Sequence, residues 1–455
     1  MSRALHSFHG GLHLDGHKAE STARPLETMP VAKRLVLPLL QHIGVPAHPL
    51  VEAGQTVRKG EVIARAEGAV STNLHAPTSG KVIAIEDHAV PHVSGLPAPC
   101  IILEADGRDE WGEKHALEEE VDAATLRQHI QDAGIVGLGG AGFPAHIKLN
   151  PGEHQVETLI LNGAECEPYI TCDDMLMRER PQHIVRGILL MQHALQAKHL
   201  IIAIEDNKPE ALAAIGKAVE ELAAPVEVVA VPTLYPTGGE RQLIKVLTGK
   251  EVPSQGLPLA IDVVCHNVAT AASVYKAVVE GEPLISRVVT VTGSAVEAPR
   301  NLEVAFGTPM REVLDYAGVD PDALGELVMG GPMMGLPIPK LDSPVIKTTN
   351  CLLTTARREL EPHPQALPCI RCGACADVCP AQLLPQQLYW HARAKAYDRV
   401  QDFHLFDCIE CGCCDYVCPS SIPLVQYYRF AKTEIWEQER EKKKADIARE
   451  RHEFR

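Results

Sequence analysis

The sequence contains no apolar run long enough to cross a membrane as a helix, which takes about 18 residues or more. The longest candidate, residues 35–40, is interrupted by Pro38. The first residues also lack the apolar core of a signal peptide. We therefore expect a protein that is soluble or attached to the surface of a membrane.

A disulfide framework and a surplus of positive charge are missing too. Six of the 14 cysteines are scattered without regular spacing, which favours a reducing, cytosol-like compartment. The formal net charge of −16 at pH 7 argues against a general binder of nucleic acid or anionic lipid, so no nucleic-acid partner is expected. The scattered cysteines are Cys100, Cys166, Cys172, Cys265, Cys351 and Cys413.

The other eight cysteines form a pattern that occurs twice. Residues 369–380 and 408–419 each read C-x2-C-x2-C-x3-C-P, the ligand run of a bacterial ferredoxin with two [4Fe-4S] clusters. Zinc and disulfides are the alternatives, but zinc sites typically use pairs of C-x2-C. In the ferredoxin pattern the fourth cysteine of each run serves the other cluster. We predict one cluster on Cys369, Cys372, Cys375 and Cys418, and the other on Cys408, Cys411, Cys414 and Cys379. Cys413 is expected to be a spare thiol beside the second cluster.

Residues 1–110 predict a small all-β domain. Short β-type runs at 45–51, 62–66 and 80–85 alternate with glycine turns. The phrase VEAGQTVRKGEVIARAEG resembles the barrel-sandwich hybrid of biotinyl and lipoyl carriers, but no carrier lysine is evident, so a docking or structural role is expected. The many histidines lack paired metal spacing and are interpreted as surface or hydrogen-bonded residues.

Residues 120–284 alternate between helix and strand patterns, which predicts right-handed βαβ crossovers and a parallel sheet. Such sheets bind ligands at the carboxyl ends of their strands. The predicted strands are 157–161, 199–204 and 226–231, and the predicted helices are 122–133, 181–197, 209–222, 239–247 and 268–280.

The remaining segments predict three further parts. Residues 285–340 predict a compact α+β unit with strands at 287–293 and 326–329 and a helix at 309–317. The proline-rich segment 341–367 predicts a linker. Residues 368–431 predict the two-cluster domain with a joining helix at 382–401, and residues 432–455 a charged tail, either solvated or docked on a partner, of which the solvated form is favoured.

Four loops carry the glycines, amides, hydroxyl and carboxylates that a flavin mononucleotide (FMN) would use. The first, residues 137–148, has four glycines in six positions, which lets a phosphate or a flat ring approach the backbone closely. It follows a predicted helix and precedes no obvious one, so it is not the Rossmann fingerprint. The others, residues 162–168, 235–240 and 266–270, follow predicted strands. Taken singly, their polar residues could also be helix caps or solvated side chains.

In this order, the motifs GGAGFP…K, N-x-x-E-x-E-P, Y-x-x-G-x-E and N-V-x-T resemble the NADH-binding flavoprotein of respiratory complex I. The unit after them resembles the soluble-ligand-binding β-grasp (SLBB) domain. The order of four domains, over nearly all 455 residues, is similar to the RnfC family of the Rnf (Rsx) electron-transport complexes. This resemblance implies a multidomain α/β protein with an N-terminal barrel-sandwich domain, a Rossmann-like FMN/NADH domain, a β-grasp domain and a two-[4Fe-4S] ferredoxin-like domain.

The resemblance also implies an activity and a setting. Bound FMN would exchange electrons between NAD(H) and the two clusters. The chain would be a peripheral subunit on the cytoplasmic side of the bacterial inner membrane, with membrane subunits and an iron–sulfur subunit as partners and ferredoxin reached indirectly. Phe143 matches the aromatic residue that stacks on the nicotinamide, and Glu167 matches an acidic residue of the nucleotide cavity. The implied FMN-site residues are Gly137, Gly139, Lys148, Asn162, Glu165, Gly238, Gly239, Glu240, Asn267 and Thr270.

Two positions depart from the complex I pattern. Leu138 stands where that pattern has arginine, and Ala164 stands where it has aspartate. Losing a positive charge and a carboxylate could weaken binding of FMN or NADH, which leaves a non-catalytic two-cluster carrier on a vestigial flavin fold as one alternative. The other alternative is the flavin-dependent cobalamin reductase of propanediol-using bacterial compartments, in which the barrel-sandwich module follows the clusters instead of preceding them.

Overall fold

The computed structural model describes residues 3–117, 121–360 and 365–453. Residue 120 of the predicted α/β domain, residues 361–364 of the predicted linker and residues 454–455 of the predicted tail lie outside the described residues. The described chain divides into two compact units, each assembled from separated stretches. The first unit contains Asp15–Thr233 and Pro258–Leu360; the second contains Ala4–Leu14, Leu234–Leu257 and the described residues from 365 onward.

The N-terminal part of the first unit is built from short strands. Its elements are α1 (Ala19–Thr22), β1 (Glu27–Thr28), β2 (Arg34–Pro38), β3 (His48–Pro49), β4 (Thr56–Val57), β5 (Val62–Arg65), β6 (Leu74–His75), β7 (Gly80–Ala89) and β8 (Pro97–Ala105). Two small antiparallel sheets result, of orders β2-β8-β7-β4 and β3-β5-β6. Apolar side chains such as Leu35, Leu37 and Ile63 are almost fully buried between the elements. The predicted runs 62–66 and 80–85 are strands, whereas only two residues of the run 45–51 are.

A parallel four-stranded sheet and its helices follow in the first unit. The elements are α2 (Ala123–Asp132), α3 (Ala145–Lys148), β9 (Thr158–Gly163), α4 (Cys172–Glu179), α5 (Pro181–Leu195), β10 (His199–Glu205), α6 (Pro209–Glu221), β11 (Val226–Val231), α7 (Glu240–Thr248), β12 (Val263–Asn267) and α8 (Val268–Val279). The sheet order is β11-β10-β9-β12, and the two inner strands carry buried apolar runs, at 159–161 in β9 and 200–204 in β10, as is typical of parallel strands. Asp122 caps α2 as predicted, accepting the N–H groups of Ala124 and Thr125. Helix α4 was not predicted.

A mixed six-stranded sheet completes the first unit. The further elements are β13 (Ser286–Gly293), β14 (Arg300–Ala305), α9 (Met310–Tyr316), β15 (Leu324–Met329), β16 (Leu336–Pro337) and β17 (Cys351–Ala356), and the sheet order is β1-β14-β13-β17-β15-β16. The prediction that residues 341–367 form only a linker is wrong, because β17 lies within this segment. It pairs parallel with β13 and antiparallel with β15, so it occupies an inner position of the sheet.

The second unit combines helix α7 with five C-terminal helices. These are α10 (Ala374–Asp377), α11 (Pro385–Arg393), α12 (Tyr397–Asp402), α13 (Cys413–Tyr416) and α14 (Leu424–Glu453). The sequence placed residues 234–257 in the α/β domain, but they group with the cysteine-rich region. The helix predicted at 382–401 is two helices, separated near Lys395, whose φ is +55°. The predicted tail continues α14, which buries Tyr428, Ala431 and Ile435 in this unit's core.

Within the described residues, no helix has both the length and the apolar character that a membrane span requires.

Candidate functional site

Two neighbouring strands of the parallel sheet carry an asparagine at or next to the last residue. Asn162 on β9 pairs in register with Asn267 on β12. Asn267 accepts the N–H of Ala269 at 2.8 Å, and its Nδ2 donates to Asp173 Oδ2 at 2.5 Å. The carboxyl edge of the sheet thus brings two residues of the implied flavin site together. It also adds Asp173 from α4, a helix that the sequence pattern did not predict.

The glycine loop, residues 137–142, lies against the start of α8. The N–H of Leu138 donates to Thr270 Oγ1 at 2.9 Å, and a Cβ on Gly139 would lie 3.3 Å from the Cβ of Asn267. Gly139 and Gly140 are exposed, so the tip of the loop is open to solvent. The expectation that no helix follows is wrong, because the single turn of α3 begins at Ala145. Lys148, at its end, donates to Cys265 O at 2.7 Å.

Phe143 closes the glycine loop. Its carbonyl oxygen accepts the N–H of Gly137 at 2.8 Å, and its side chain is partly exposed. This hydrogen bond joins Gly137, the first residue of the glycine loop, to Phe143, the residue that directly follows the loop.

Residues 164–171, here called the acid loop, connect β9 to α4. The Glu165 carboxylate accepts the N–H groups of Asp173 at 2.7 Å and Asp174 at 3.1 Å, so it caps α4. Glu167 Oε1 accepts the N–H groups of Met333 at 2.7 Å and Met334 at 3.0 Å, beyond β15. Both carboxylates are therefore held by main-chain donors.

The buried groups beside the acid loop influence one another electrostatically. Burial and the neighbouring Glu165 raise the pKa of Asp173 to about 7. Ligand atoms of Glu165, Cys172 and Asp173 lie within 4.8 Å of one another. Burial lowers the pKa of Arg287, and Cys172 and Asp173 oppose that shift. A buried carboxyl group whose pKa is raised in this way is protonated more readily than an exposed one.

The two departures from the complex I pattern are both buried. Arg287 Nη2 donates to the carbonyl oxygen of Leu138 at 3.1 Å, so a guanidinium lies at the backbone of the residue that replaces arginine. The carbonyl oxygen of Ala164 accepts Lys208 Nζ at 2.7 Å. Neither Arg287 nor Lys208 carried a sequence signal, because their contacts join residues far apart in the chain.

The third predicted loop belongs to the second unit. Gly238, Gly239 and Glu240 lie at the start of α7, with Gly239 at the N-cap position. Within that unit, Tyr235 Oη donates to Cys411 O at 2.6 Å. By this division, Gly238, Gly239 and Glu240 group with the cysteine-rich region and not with the other implied FMN-site residues.

The cysteines of the second unit surround two cavities. The first is lined by three cysteines of residues 369–379, the first cysteine loop, and by Cys418. The second is lined by three cysteines of residues 408–418, the second cysteine loop, and by Cys379. Cys413 also lines the second cavity. The structure therefore gathers the cysteines in the two predicted sets of four, including the crossed fourth member of each. In the first set these are Cys369, Cys372, Cys375 and Cys418; in the second, Cys379, Cys408, Cys411 and Cys414.

Both loops have the turns that this wrapping requires. Arg371 and Glu410, at equivalent positions, have φ of +59° and +58°, and Gly373 and Gly412 have φ of +86° and +80°. Burial raises the pKa of the Cys408 thiol to about 12, so a strongly positive centre is needed to keep it as a thiolate. All-sulfur donor sets of this kind suit iron–sulfur clusters.

The edge of the parallel sheet also suits a flavin nucleotide. Glycine N–H groups and carboxylates come from the loops here, the Lys148 ammonium group from the end of α3, and the two asparagine amides from the ends of β9 and β12. The exposed glycine tip leaves room for a ligand to approach, since nothing lies within 4 Å of a Cβ built on Gly140.

Comparison with family models recovers three regions in order. Residues 6–108 match the RnfC barrel sandwich hybrid domain, residues 130–276 the Nuo51 FMN-binding domain, and residues 368–422 a 4Fe-4S dicluster domain. These matches confirm the expected N-terminal β module, the flavin domain and the two-cluster region. Among solved structures, an NAD+-reducing [NiFe]-hydrogenase in the H2-reduced state aligns with a TM-score of 0.49 and 20% identity, over 67% of this chain and 60% of that chain.

Curated relatives match along most of the sequence. The RnfC protein of the ion-translocating oxidoreductase complex of Pseudomonas aeruginosa is 52% identical over 99% of this chain and 58% of its own length. Its counterpart from Serratia proteamaculans is 46% identical over 88% of this chain and 57% of its own length. The chain thus spans a little more than half the length of these relatives. Over that span it belongs to the RnfC family of ion-translocating oxidoreductase complexes.

Proposed function

We propose that this chain is a peripheral subunit of a membrane-bound, ion-translocating electron-transport complex. In it, the chain exchanges electrons between NAD(H), through FMN, and two [4Fe-4S] clusters. The observation that carries the proposal is one chain that combines a match to an FMN-binding domain with two cavities, each lined by one of the two predicted sets of four cysteines. FMN, when bound, supplies the change between two-electron hydride exchange and the one-electron transfers that clusters accept.

The residues at the sheet edge define the proposed flavin site. The N–H groups of the glycine loop and the Lys148 ammonium group suit the phosphate, because both offer donors to an anion. Phe143 is proposed to stack on the nicotinamide, and Glu167 to line the nucleotide cavity. The proposed FMN contacts are Gly137, Gly139, Lys148, Asn162, Glu165, Gly238, Gly239, Glu240, Asn267 and Thr270. The proposed cluster ligands are the two sets of four cysteines that line the cavities.

The setting is proposed from the relatives. Their name supports other members of the complex as partners, which we take to be membrane subunits and an iron–sulfur subunit, with ferredoxin further along the path. We place the chain at the cytoplasmic face of the bacterial inner membrane. We also assign the mixed sheet of β13 to β17 to the SLBB β-grasp class, which extends the proposed domain from 285–340 to include β17.

The test is NADH-driven reduction of ferricyanide or a viologen by the anaerobically reconstituted chain. Flavin and iron are quantified in the same sample. Turnover with about one FMN and about eight irons per chain would support the entry role, since two [4Fe-4S] clusters hold eight irons. A sample with full iron but neither flavin nor turnover would contradict it and would leave a two-cluster carrier.

A further inference from the structure

A short stretch of the first unit, residues 16–21, runs along the acid loop and is called the strap. The N–H of Tyr169 donates to Gly16 O at 2.8 Å. The His17 ring stacks on the Tyr169 ring, with centroids 4.5 Å apart and planes at 6°. Ser21 Oγ lies 2.8 Å from Thr171 Oγ1, although the two residues are 150 positions apart in sequence. The strap therefore contacts the acid loop at several points.

Lys18 is the strap's central contact. Its Nζ donates to the carbonyl oxygens of Glu165 at 2.6 Å, Glu167 at 2.8 Å and Ile170 at 2.6 Å. An ammonium group has three donors, so all three are used by one loop. Burial lowers the pKa of Lys18, and the negative charge of Glu165 opposes that shift. The Lys18 side chain thus binds the backbone of the loop that carries both carboxylates.

A second buried ammonium group completes the arrangement. Lys208 Nζ donates to Ala164 O at 2.7 Å. The C=O and N–H of a trans peptide point in opposite directions. The carbonyls of Ala164 and Glu165 each accept from one lysine, so the N–H groups of Glu165 and Cys166 each point away from the lysine that binds their own peptide.

The acid loop has a backbone that needs such support. Glu165 and Tyr169 have φ of +50° and +69°, in the left-handed region that non-glycine residues rarely adopt. Strained residues of this kind persist only where the surrounding structure holds them. We propose that the strap sets the position of the acid loop and that Lys18 is a positioning residue for the flavin and nucleotide site. The inference rests on the proposed function, because Glu165 and Glu167 are assigned to that site.

Lys18→Met removes the ammonium group and leaves three loop carbonyls without their donor. We expect the acid loop to exchange its amide hydrogens faster in the flavin-free protein. We also expect the Kd for FMN to rise about tenfold or more, which is the scale of one lost charge-assisted hydrogen bond. Lys18→Arg keeps the charge and several donors, so it should restore most of the affinity.

The experiment compares Lys18→Met, Lys18→Arg and the matched control Lys59→Met. Lys59 is another partly buried lysine of the first unit, but it pairs with Asp109 at 2.6 Å and does not touch the acid loop. Hydrogen exchange of residues 164–171 is measured on flavin-free protein, and FMN affinity by fluorescence titration. Loss of protection and of affinity in Lys18→Met alone, with recovery in Lys18→Arg, is the expected result. Unchanged exchange in Lys18→Met, or an equal loss of FMN affinity in Lys59→Met, would overturn the inference.

These measurements distinguish a failure of the inference about Lys18 from a failure of the proposed function. If the wild-type chain bound no FMN, the proposed function would fail. Hydrogen exchange would then still decide whether Lys18 holds the acid loop. If the wild-type chain bound FMN and Lys18→Met bound it equally well, the inference about Lys18 alone would fail.

Discussion

The two cysteine loops share one ligand pattern but differ in their surroundings. In the first loop Cys372 is exposed, and Ile370 retains 68% of its accessible surface. In the second loop, Cys411 and Cys414 are buried at 7% and 8% exposure. The spacing of cysteines fixes the type of centre, but exposure and hydrogen bonding around the sulfurs set its potential and lability.

The second loop owes its enclosure to residues outside the cysteine pattern. Lys432 Nζ donates to Cys408 O at 2.7 Å and to Glu410 Oε1 at 2.7 Å, while Arg429 Nε donates to Glu410 Oε2 at 2.9 Å. Tyr235 Oη donates a hydrogen bond to Cys411 O. At the equivalent position of the first loop, Arg371 is exposed. The two copies of the motif thus carry opposite charges at this one position, Arg371 and Glu410, and differ in their exposure to solvent.

Replacing the fourth cysteine of either ligand set should change the protein most, because it should remove a whole cluster. Cys418→Ala should remove the cluster of the exposed first loop, and Cys379→Ala the cluster of the buried second loop. Each variant should retain about four of eight irons, since each cluster loses one of its four thiolates. Iron content and electron paramagnetic resonance of the reduced proteins would show this. If Cys379→Ala instead removed the signal of the exposed cluster, the crossed assignment would be wrong.

The rate of iron extraction should also differ between the two cysteine loops. In the wild-type chain, a membrane-impermeant iron chelator should extract iron in two phases that differ in rate several-fold, because the first cysteine loop is open and the second is enclosed. The fast phase should be absent from Cys418→Ala and the slow phase absent from Cys379→Ala. A single phase in the wild-type chain would contradict the difference in access.

A smaller effect should follow from Lys432→Met. This change leaves the partly buried Cys408 carbonyl without its donor and Glu410 with one cation fewer, which should lower the stability of the second unit by about 1–3 kcal/mol. The second cluster should also become harder to reduce, since a positive charge nearby is lost. Thermal unfolding and a redox titration would measure the two effects.

Lys444→Met is the matched control for Lys432→Met. Lys444 lies on the same helix, α14, but its pair with Glu441 is exposed and should contribute little. Equal effects of the two substitutions would show that the contacts of Lys432 do not set the behaviour of the second loop.

The smallest effect should come from the pair Arg371→Gln and Glu410→Gln. Removing Arg371 should lower the potential of the first cluster slightly, because solvent screens an exposed charge. Removing Glu410 should raise the potential of the second cluster by more, because Arg429 and Lys432 then lack their anion. Potentiometric titrations of both variants should show shifts of opposite sign; shifts of the same sign would contradict the electrostatic difference between the loops.

Local patterns predicted much of this molecule. The cysteine runs, the strand at 226–231 and the cap at Asp122 depend on residues close together in sequence, so their spacing is informative. Strand β17 was mistaken for a linker because prolines surround it and its partners, β13 and β15, are distant in the chain. For the same reason Lys18 gave no signal. The three carbonyl oxygens that accept its hydrogen bonds lie about 150 positions away in sequence.

The discontinuous second unit has a consequence for how the chain is made. Residues 4–14 leave the ribosome well before the segments to which their main chain bonds. His6 N–H donates to Val246 O, and Gly11 N–H donates to Val378 O. This early segment therefore cannot form these hydrogen bonds until more than 200 further residues have been translated. A gene fragment that starts at the first cysteine loop would lack two of the three pieces from which the second unit is assembled.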